Sequence, residues 1–154
     1  MRQVFVFEKV AVVVGPWWEP MDPPERGARV EVRLVTGEPH RGNRFAAQRI
    51  VVDQPVFRAD LFDQIDAPPG NLHSAHFHEG FDGVEPRVRQ WPPAIKQDPI
   101  AWLRAELSDL ENVLVRAGHN ASLATDAAAL RDALDAIVAA VEASFAVARA
   151  GVRV

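Results

Sequence analysis

The sequence predicts an α+β fold in which an antiparallel sheet of about five or six strands packs against a C-terminal antiparallel two-helix hairpin. Residues 4–91 hold short apolar runs separated by glycine and proline, which is typical of strands and turns. Residues 98–151 instead repeat apolar side chains at helical spacing. With 154 residues and 48% hydrophobic content, the chain fits a single domain over 1–154, with 1–97 as sheet and 98–151 as helix hairpin.

The first strands follow from side-chain pattern. Residues 4–14 are almost continuously β-branched or aromatic, which predicts one strand or a pair of strands covered on both faces. Residues 17–27 hold several prolines and predict a long loop. Residues 28–36 alternate between apolar and charged, as in a half-buried strand. Residues 45–53 and 56–63 predict a hairpin that turns at the proline between them.

The remaining elements follow from turn and capping signals. The next strand contains His76-Phe77-His78, and a turn with Gly80 and Gly83 precedes a last strand at 87–91. Asp98 before Pro99 predicts the start of the first helix. That helix runs to just before Gly118, and a second helix runs from Thr125 to about Gly151.

Composition excludes several classes of function. The net charge is -4, which argues against a duplex-DNA binder that neutralises phosphates with a basic surface. The absence of cysteine excludes disulfides, thiolate metal sites and a cysteine nucleophile, and favours a reducing cytoplasm. No apolar run approaches membrane-spanning length, so the sequence predicts a cytoplasmic protein without a membrane partner. Phosphate-binding loops, dinucleotide fingerprints and a serine-hydrolase elbow are also missing.

The segment from His73 to Glu79 holds three of the five histidines. In a strand, His76 and His78 project to one side while Phe77 projects to the other. Arg58 and Asp60 have the same alternation on the neighbouring predicted strand. We therefore expect these four side chains to share an open or concave face of the sheet, turned away from the helices and extended by arginines of adjacent strands.

Three chemistries are compatible with such a face. A divalent metal such as Zn²⁺ suits His76, His78, His73 and Asp60 as ligands. One histidine instead serves as general acid or base toward an RNA 2'-hydroxyl, with Arg58 on the phosphate and Asp60 orienting the imidazole. In the third, Arg58, Asp60, His76 and His78 bind a small anionic ligand or a protein partner without reaction.

The sequence favours the last of these, a binding or interaction protein that can also form a homodimer. The alternative is a small RNA-acting enzyme or toxin that uses the same face and a divalent metal, so enzymatic activity stays open. A purely solvated polar face is an equally good explanation of the pattern. The acidic residues Asp63, Glu79 and Asp82 are further candidates for a metal shell, although such residues near turns are usually only solvated.

Two other groups of residues attract simpler interpretations. His40 and His119 lie in predicted loops and carry no functional hypothesis. Trp17 and Trp18 are expected to pack on the sheet, with an exposed anchor for a partner as the alternative.

The middle third of the chain resembles the TumE-type toxins of bacterial toxin and antitoxin pairs. The resemblance is carried by Val56-Phe57-Arg58-Ala59-Asp60, by His76-Phe77-His78, and by Gly83-Val84-Glu85-Pro86 before a C-terminal helix. The chain departs from that family's pattern by lacking an asparagine after the aspartate and a proline-histidine turn, and by adding the helix hairpin. The resemblance implies a toxin acting on RNA or translation through Arg58, Asp60, His76 and His78.

Overall fold

The fold is α+β, with a six-stranded antiparallel sheet and several helices, as the sequence predicts. The computed structural model describes residues 1–38, 42–43 and 45–151. In this part of the chain the strands are β1 (Gln3–Val6), β2 (Val10–Glu19), β3 (Glu25–Gly37), β4 (Ile50–Gln64), β5 (His76–Glu79), β6 (Phe81–Asp82), β7 (Glu85–Pro86) and β8 (Arg89–Gln90). The helices are α1 (Pro93–Gln97), α2 (Pro99–Ser108), α3 (Leu110–Arg116), a 3-10 helix (Ala121–Asp126), α4 (Ala127–Asp132) and α5 (Leu134–Arg149).

The main sheet has the order β1-β2-β3-β4-β5-β8, and every neighbouring pair is antiparallel. The long strands β3 and β4 form its centre, with 13 and 15 residues. The short strands β6 and β7 pair with each other as a separate hairpin. Its turn contains Gly83, whose positive φ of 66° suits a residue without a Cβ.

One face of the main sheet is apolar and carries the core. Val12, Val30 and Phe57, from β2, β3 and β4, are fully buried. Helix α5 lies against β2 and β3, and Trp102 of α2 lies 6.2 Å from Phe57 and 5.3 Å from Phe77, measured between ring centroids. Because side chains alternate along a strand, the residues between these apolar positions point to the opposite side, here named the outer face.

The strand-rich half differs from the prediction in three places. Residues 56–63 do not form a hairpin with 45–53, because β4 runs without a turn from Ile50 through Pro55 to Gln64. The pairing of β4 with β3 is irregular on both sides of Arg33, which lies opposite Pro55. This irregularity lets the ladder accommodate a proline, which has no N–H to donate. Residues 45–49 are not a strand.

The predicted loop at 17–27 is also largely wrong, since both of its ends belong to strands. Strand β2 continues to Glu19 and β3 starts at Glu25, where the two strands still pair with each other. Only residues 20–24 connect them. At the start of the chain, the 4–14 run is a pair of strands, and β1 is exposed at Val4 and Val6 instead of covered on both faces.

The helical half contains the predicted helix start but more segments than two. Asp98 caps α2, and its side chain accepts a hydrogen bond of 2.9 Å from the backbone N–H of Ala101. The first predicted helix divides at Asp109, whose side chain caps α3, and the second divides at Ala133. Within the described ranges, none of the helices has the length and apolar character needed to cross a membrane.

A buried carboxylate joins the two halves of the chain. Asp126, at the end of the 3-10 helix, accepts hydrogen bonds from the backbone N–H groups of Lys9 at 2.6 Å and Val10 at 3.0 Å. It thereby satisfies backbone donors at the start of β2, where the chain has just turned from β1. Nothing in the local sequence around Asp126 indicates this distant partner.

Candidate metal centre

Strand register brings the sequence-predicted residues together on the outer face. Antiparallel pairing of β4 with β5 places Arg58 opposite His78 and Asp60 opposite His76. Phe77, between the two histidines, contacts Trp102 on the other side of the sheet. The imidazoles therefore point away from the helix-covered face, beside Arg58 and Asp60.

Asp60 is the centre of the arrangement. Its side chain is 1% exposed and accepts hydrogen bonds from two guanidinium groups. Arg29 of β3 donates through Nε to Oδ1 at 2.6 Å, and Arg58 donates through Nε to Oδ2 at 3.0 Å. Two cations thus compensate the buried carboxylate, as such a group requires.

Each histidine is held by a backbone carbonyl. Nδ1 of His76 lies 2.7 Å from the carbonyl oxygen of Ser74, and Nδ1 of His78 lies 2.8 Å from that of Arg87. A carbonyl oxygen only accepts, so each Nδ1 carries a proton and donates it. The Nε2 atom of each neutral ring is then left with a lone pair directed into the cluster.

The two Nε2 atoms converge on one carboxylate oxygen. Nε2 of His76 lies 3.4 Å from Oδ2 of Asp60, and Nε2 of His78 lies 3.7 Å from the same atom. One ligand atom from each of Asp60, His76 and His78 lies within 4.8 Å of the others. We name these three residues the donor cluster.

The two Nε2 atoms differ in their partners. Nε2 of His78 accepts a hydrogen bond of 3.1 Å from Nη2 of Arg58. Nε2 of His76 is buried and has no hydrogen-bond partner among the described residues. An acceptor without a donor, close to a carboxylate oxygen, is an unfavourable arrangement that a cation would relieve.

The outer face is closed over the donor cluster, which corrects the expected open surface. His76 is 3% exposed and His78 is 2% exposed. Trp91 lies over His76 at a centroid distance of 4.7 Å, and Phe62 meets the same imidazole edge-on at 6.4 Å. The interpretation of a solvated polar face is therefore wrong.

Burial lowers the pKa of three basic side chains in the site. It lowers the pKa of His76 and of His78 below the ordinary histidine value, because a charged imidazole is costly away from water. The hydrogen bonds to Ser74 and Arg87 oppose this effect only in part. Burial likewise lowers the pKa of Arg58, although Asp60 acts in the other direction. Both imidazoles are thus neutral near pH 7, as metal ligands must be.

The other predicted metal candidates lie outside the donor cluster. His73 is exposed and does not join the group. Asp63 is buried, but it accepts hydrogen bonds from the backbone of Gly70 and Leu72 and pairs with Arg149 at 3.0 Å, so it holds a loop against α5. Glu79 pairs with Arg116 at 2.8 Å. Asp82 is exposed and pairs with Arg87.

The other residues named in the sequence analysis also lie outside the donor cluster or outside the described part of the chain. His119 is half-buried after α3, and His40 lies outside the described residues. Trp17 and Trp18 are half-buried at the end of β2. Of the groups that build the site, sequence reasoning missed the cover by Trp91, which was predicted as the last residue of a strand and lies just after β8, and the two backbone carbonyls. Carbonyl positions leave no signal in a sequence.

Comparison of the chain with protein-family models, with curated proteins and with solved structures returned no match. Function is therefore inferred from the geometry of the site.

Proposed function

We propose that the protein binds a divalent metal ion of the zinc type through Oδ2 of Asp60, Nε2 of His76 and Nε2 of His78. The unpartnered, buried Nε2 of His76 carries this proposal. It is aimed at a carboxylate oxygen beside a second imidazole. Histidine nitrogens favour Zn²⁺, Cu²⁺ or Ni²⁺ over Mg²⁺ and Ca²⁺, which prefer oxygen ligands.

The distances support tetrahedral coordination. Zinc bonds of about 2.1 Å in tetrahedral geometry place two donor atoms about 3.4 Å apart. The two separations from Oδ2 of Asp60 are 3.4 and 3.7 Å. The three ligand atoms all lie within 4.8 Å of one another, so side-chain adjustment brings them to the distances that one ion requires.

The groups that contact the proposed ligands are placed as they usually are around a bound metal ion. Metal-binding histidines usually donate their other ring N–H to a carbonyl or carboxylate, which fixes the tautomer and the ring orientation. Ser74 and Arg87 provide such carbonyls. Arg29 fixes the carboxylate from its other oxygen.

Arg58 has to move when a metal binds. Its guanidinium donates to both Oδ2 of Asp60 and Nε2 of His78, and these are two of the three proposed metal ligands. The Arg58 side chain is 14% exposed, so rotation toward solvent is open to it. In this proposal a divalent ion takes the place of the Arg58 guanidinium. The displaced guanidinium is then hydrated by solvent.

Burial is the reason to prefer a metal over an anionic ligand at these residues. An anion would need free N–H donors, whereas the Nε2 atoms are acceptors and Arg58 already donates to two partners. A polymer or protein partner could reach imidazoles that are 2–3% exposed only if covering side chains such as Trp91 moved away. A single ion enters by displacing one side chain.

The experiment is zinc titration of untagged, chelator-treated protein by isothermal calorimetry. We expect one ion bound per chain, with no comparable binding of Mg²⁺. The variant His76→Ala/His78→Ala should lose zinc binding. The matched control His73→Ala/His119→Ala removes the same number of histidines outside the donor cluster and should bind like the wild type. Circular dichroism checks that both variants fold, and equal zinc binding by the two variants would refute the site.

A second candidate function is an RNA-acting enzyme, as the resemblance to TumE-type toxins implies. The specific support is a neutral His78 imidazole beside the Arg58 guanidinium, a pair suited to proton transfer next to a phosphate. Induced expression of the wild type should then arrest bacterial growth, and His78→Ala should restore it. Normal growth with the wild type would count against this function and leave the metal proposal unaffected.

A further inference from the structure

A second concave region lies on the outer face, beside the donor cluster. A pocket of about 230 Å³ is lined by Arg2, Arg29, Arg33, Glu31 and Trp17, with smaller residues of β2. A neighbouring pocket of about 330 Å³ shares Arg2, Pro16 and Trp17 with the first and adds Trp18 and Met1. The two pockets share three lining residues and are here named together the arginine trough, with a cationic half and an aromatic half.

The trough forms because the sheet edge is incomplete. β1 pairs with β2 only as far as Val14, so residues 15–19 of β2 extend beyond its cover. Gly15 lets the side chain of Arg2 lie across the strand at this point. A Cβ on Gly15 would be 2.8 Å from Cγ of Arg2, a distance that would push the arginine away.

Charge in and around the trough favours an anion. Arg2, Arg29 and Arg33 line the cationic half, against the single carboxylate of Glu31. Counting the adjacent Arg58, Asp60 and Glu19 as well, four cations face three anions, since Glu19 accepts a hydrogen bond of 3.1 Å from Nε1 of Trp17. The chain as a whole has a net charge of -4, so this region is a positive exception on an acidic protein.

The guanidinium groups differ in how much hydrogen-bonding capacity they have left. Arg33 donates to Glu31 at 2.5 Å and to the carbonyl of Asp53 at 2.7 Å. Arg29 uses Nε for Asp60, while its guanidinium carbon lies 3.7 Å from the centroid of the Trp17 ring. Arg2 contacts the same ring at 5.6 Å and has no hydrogen bond within the described ranges. Arg2 and the terminal nitrogens of Arg29 are thus the donors left for a ligand.

The aromatic half indicates what such an anion would be attached to. The half-buried Trp17 and Trp18 line the second pocket next to these donors, and the Arg29 guanidinium already lies over the Trp17 ring. Indole rings stack well on other planar rings, and stacking on a nucleobase is sequence-tolerant because every base has a π-face. The two volumes, about 230 and 330 Å³, lie near the lower end of the range of about 300–1,000 Å³ that small-molecule sites occupy.

We propose that the arginine trough binds a nucleoside monophosphate, with the phosphate on Arg2 and Arg29 and the base against Trp17 and Trp18. Guanidinium groups bind phosphate oxygens through paired hydrogen bonds, and the indoles supply the surface for the planar base. Arg29 also contacts Asp60 of the donor cluster, whereas Arg2 and the tryptophans of the trough touch no proposed metal ligand among the described residues, so variants of Arg2 test this site apart from the metal proposal.

The test is calorimetric titration with AMP, with inorganic phosphate and adenosine as separate arms. We expect AMP to bind tighter than either part, because only AMP fills both halves of the trough. Arg2→Ala should weaken AMP binding about tenfold through the loss of a charged hydrogen bond. Gly15→Ala should weaken it in the same direction by displacing Arg2, and Arg2→Lys should lose less than Arg2→Ala.

The matched control is Arg104→Ala, which removes an arginine that pairs with the exposed Asp135 on the helical side. It should leave AMP binding unchanged. Equal affinity of wild type and Arg2→Ala, or phosphate binding as tight as AMP binding, would overturn the proposal. Tighter binding of a 5'-phosphorylated single-stranded RNA than of AMP, lost in Arg2→Ala, would overturn the small-molecule assignment in favour of a nucleic acid.

Discussion

The two faces of the main sheet exclude water by different means. On the helix-covered face, Val30 and Phe57 are fully buried among other apolar side chains. On the outer face, Asp60 of β4 and His76 of β5 are almost as deeply buried, but their neighbours are guanidinium groups, carbonyls and the Trp91 ring. Apolar contacts surround the buried side chains on one face, whereas hydrogen bonds and ion pairs surround them on the other.

This difference indicates that the helix-covered face stabilises the fold, whereas the outer face holds groups that are able to bind a ligand. Apolar burial contributes roughly 25 cal/mol per Å² without any requirement for direction. A buried charge costs free energy unless its partners are well placed, and ionic clusters often stabilise less than an apolar replacement would. The outer-face cluster even leaves Nε2 of His76 unpartnered. Such a cost is more readily explained by binding than by stability.

The largest expected effect tests the helix-covered face. Phe57→Ala removes a fully buried ring that contacts both Phe77 and Trp102. We expect the free energy of unfolding to fall by about 3–5 kcal/mol, from lost apolar burial and the cavity left behind. Urea unfolding measures it. Val88→Ala, at a residue 80% exposed, is the control and should change stability by less than about 0.5 kcal/mol. A loss below 1 kcal/mol for Phe57→Ala would contradict this account of the core.

The next effect tests the outer face. Asp60→Asn leaves the guanidinium groups of Arg29 and Arg58 without their buried carboxylate. We expect a loss of about 2–3 kcal/mol, less than for a fully buried pair because each arginine keeps some exposure to solvent. Chemical unfolding of metal-free protein measures the change. Asp135→Asn, in an exposed pair with Arg104, is the matched control and should have almost no effect. Equal stability of both variants would show that the cluster is not held by Asp60.

A smaller effect shows whether Arg58 competes with a metal ion for the donor cluster or supports the site. Arg58→Ala removes the group that donates to Oδ2 of Asp60 and Nε2 of His78. If a metal must displace this guanidinium, the variant should bind zinc about tenfold more tightly, the equivalent of one charged hydrogen bond. Calorimetry of chelator-treated protein gives the comparison. Arg104→Ala should match the wild type, and weaker zinc binding by Arg58→Ala would mean that Arg58 supports the site.

The smallest expected effect is a dependence of stability on pH. Because burial lowers the pKa of His76 and His78 in the folded state, the unfolded chain binds more protons than the folded chain below about pH 6.5. The free energy of unfolding of metal-free protein should therefore fall as the pH drops below that value. In His76→Gln/His78→Gln the decline between pH 7 and 5 should be shallower, whereas His73→Gln/His119→Gln should keep it. The same slope in all three proteins would contradict the assignment to the buried pair.

Local signals predicted much of the fold. The alternation at 28–36 identified the middle of β3, and Asp98 with Pro99 identified the start of α2. Proline misled the prediction at 55, because an irregular register opposite Arg33 lets β4 continue through it. The proline-rich connection after Trp18 misled it as well, because pairing with β4 extends β3 back to Glu25. A strand's length is set by its neighbours, and a local window does not contain them.

The sequence predicted that four of the polar side chains would share one face, but it wrongly added His73 to the metal candidates and did not predict the burial of the others. Period-two alternation placed Arg58, Asp60, His76 and His78 on one side of neighbouring strands, and strand register brings them together. Their depth depends on Trp91, which returns over His76 after β8. That contact was not visible in the sequence, so a solvent-open face was expected where the structure has a closed one.

The sequence by itself determined the α+β division, the alternating faces and the four polar residues, because periodicity and capping act over a few residues. Only the tertiary structure decided that Arg29 meets Asp60, that carbonyls of Ser74 and Arg87 orient the imidazoles, and that Nε2 of His76 is left without a donor. Apart from the local contact between His76 and Ser74, these contacts join separate segments, and their geometry is set by how the strands pair and how the chain folds back over the sheet. Burial and protonation therefore belong to the folded molecule, and they turn a histidine pattern into a candidate metal centre.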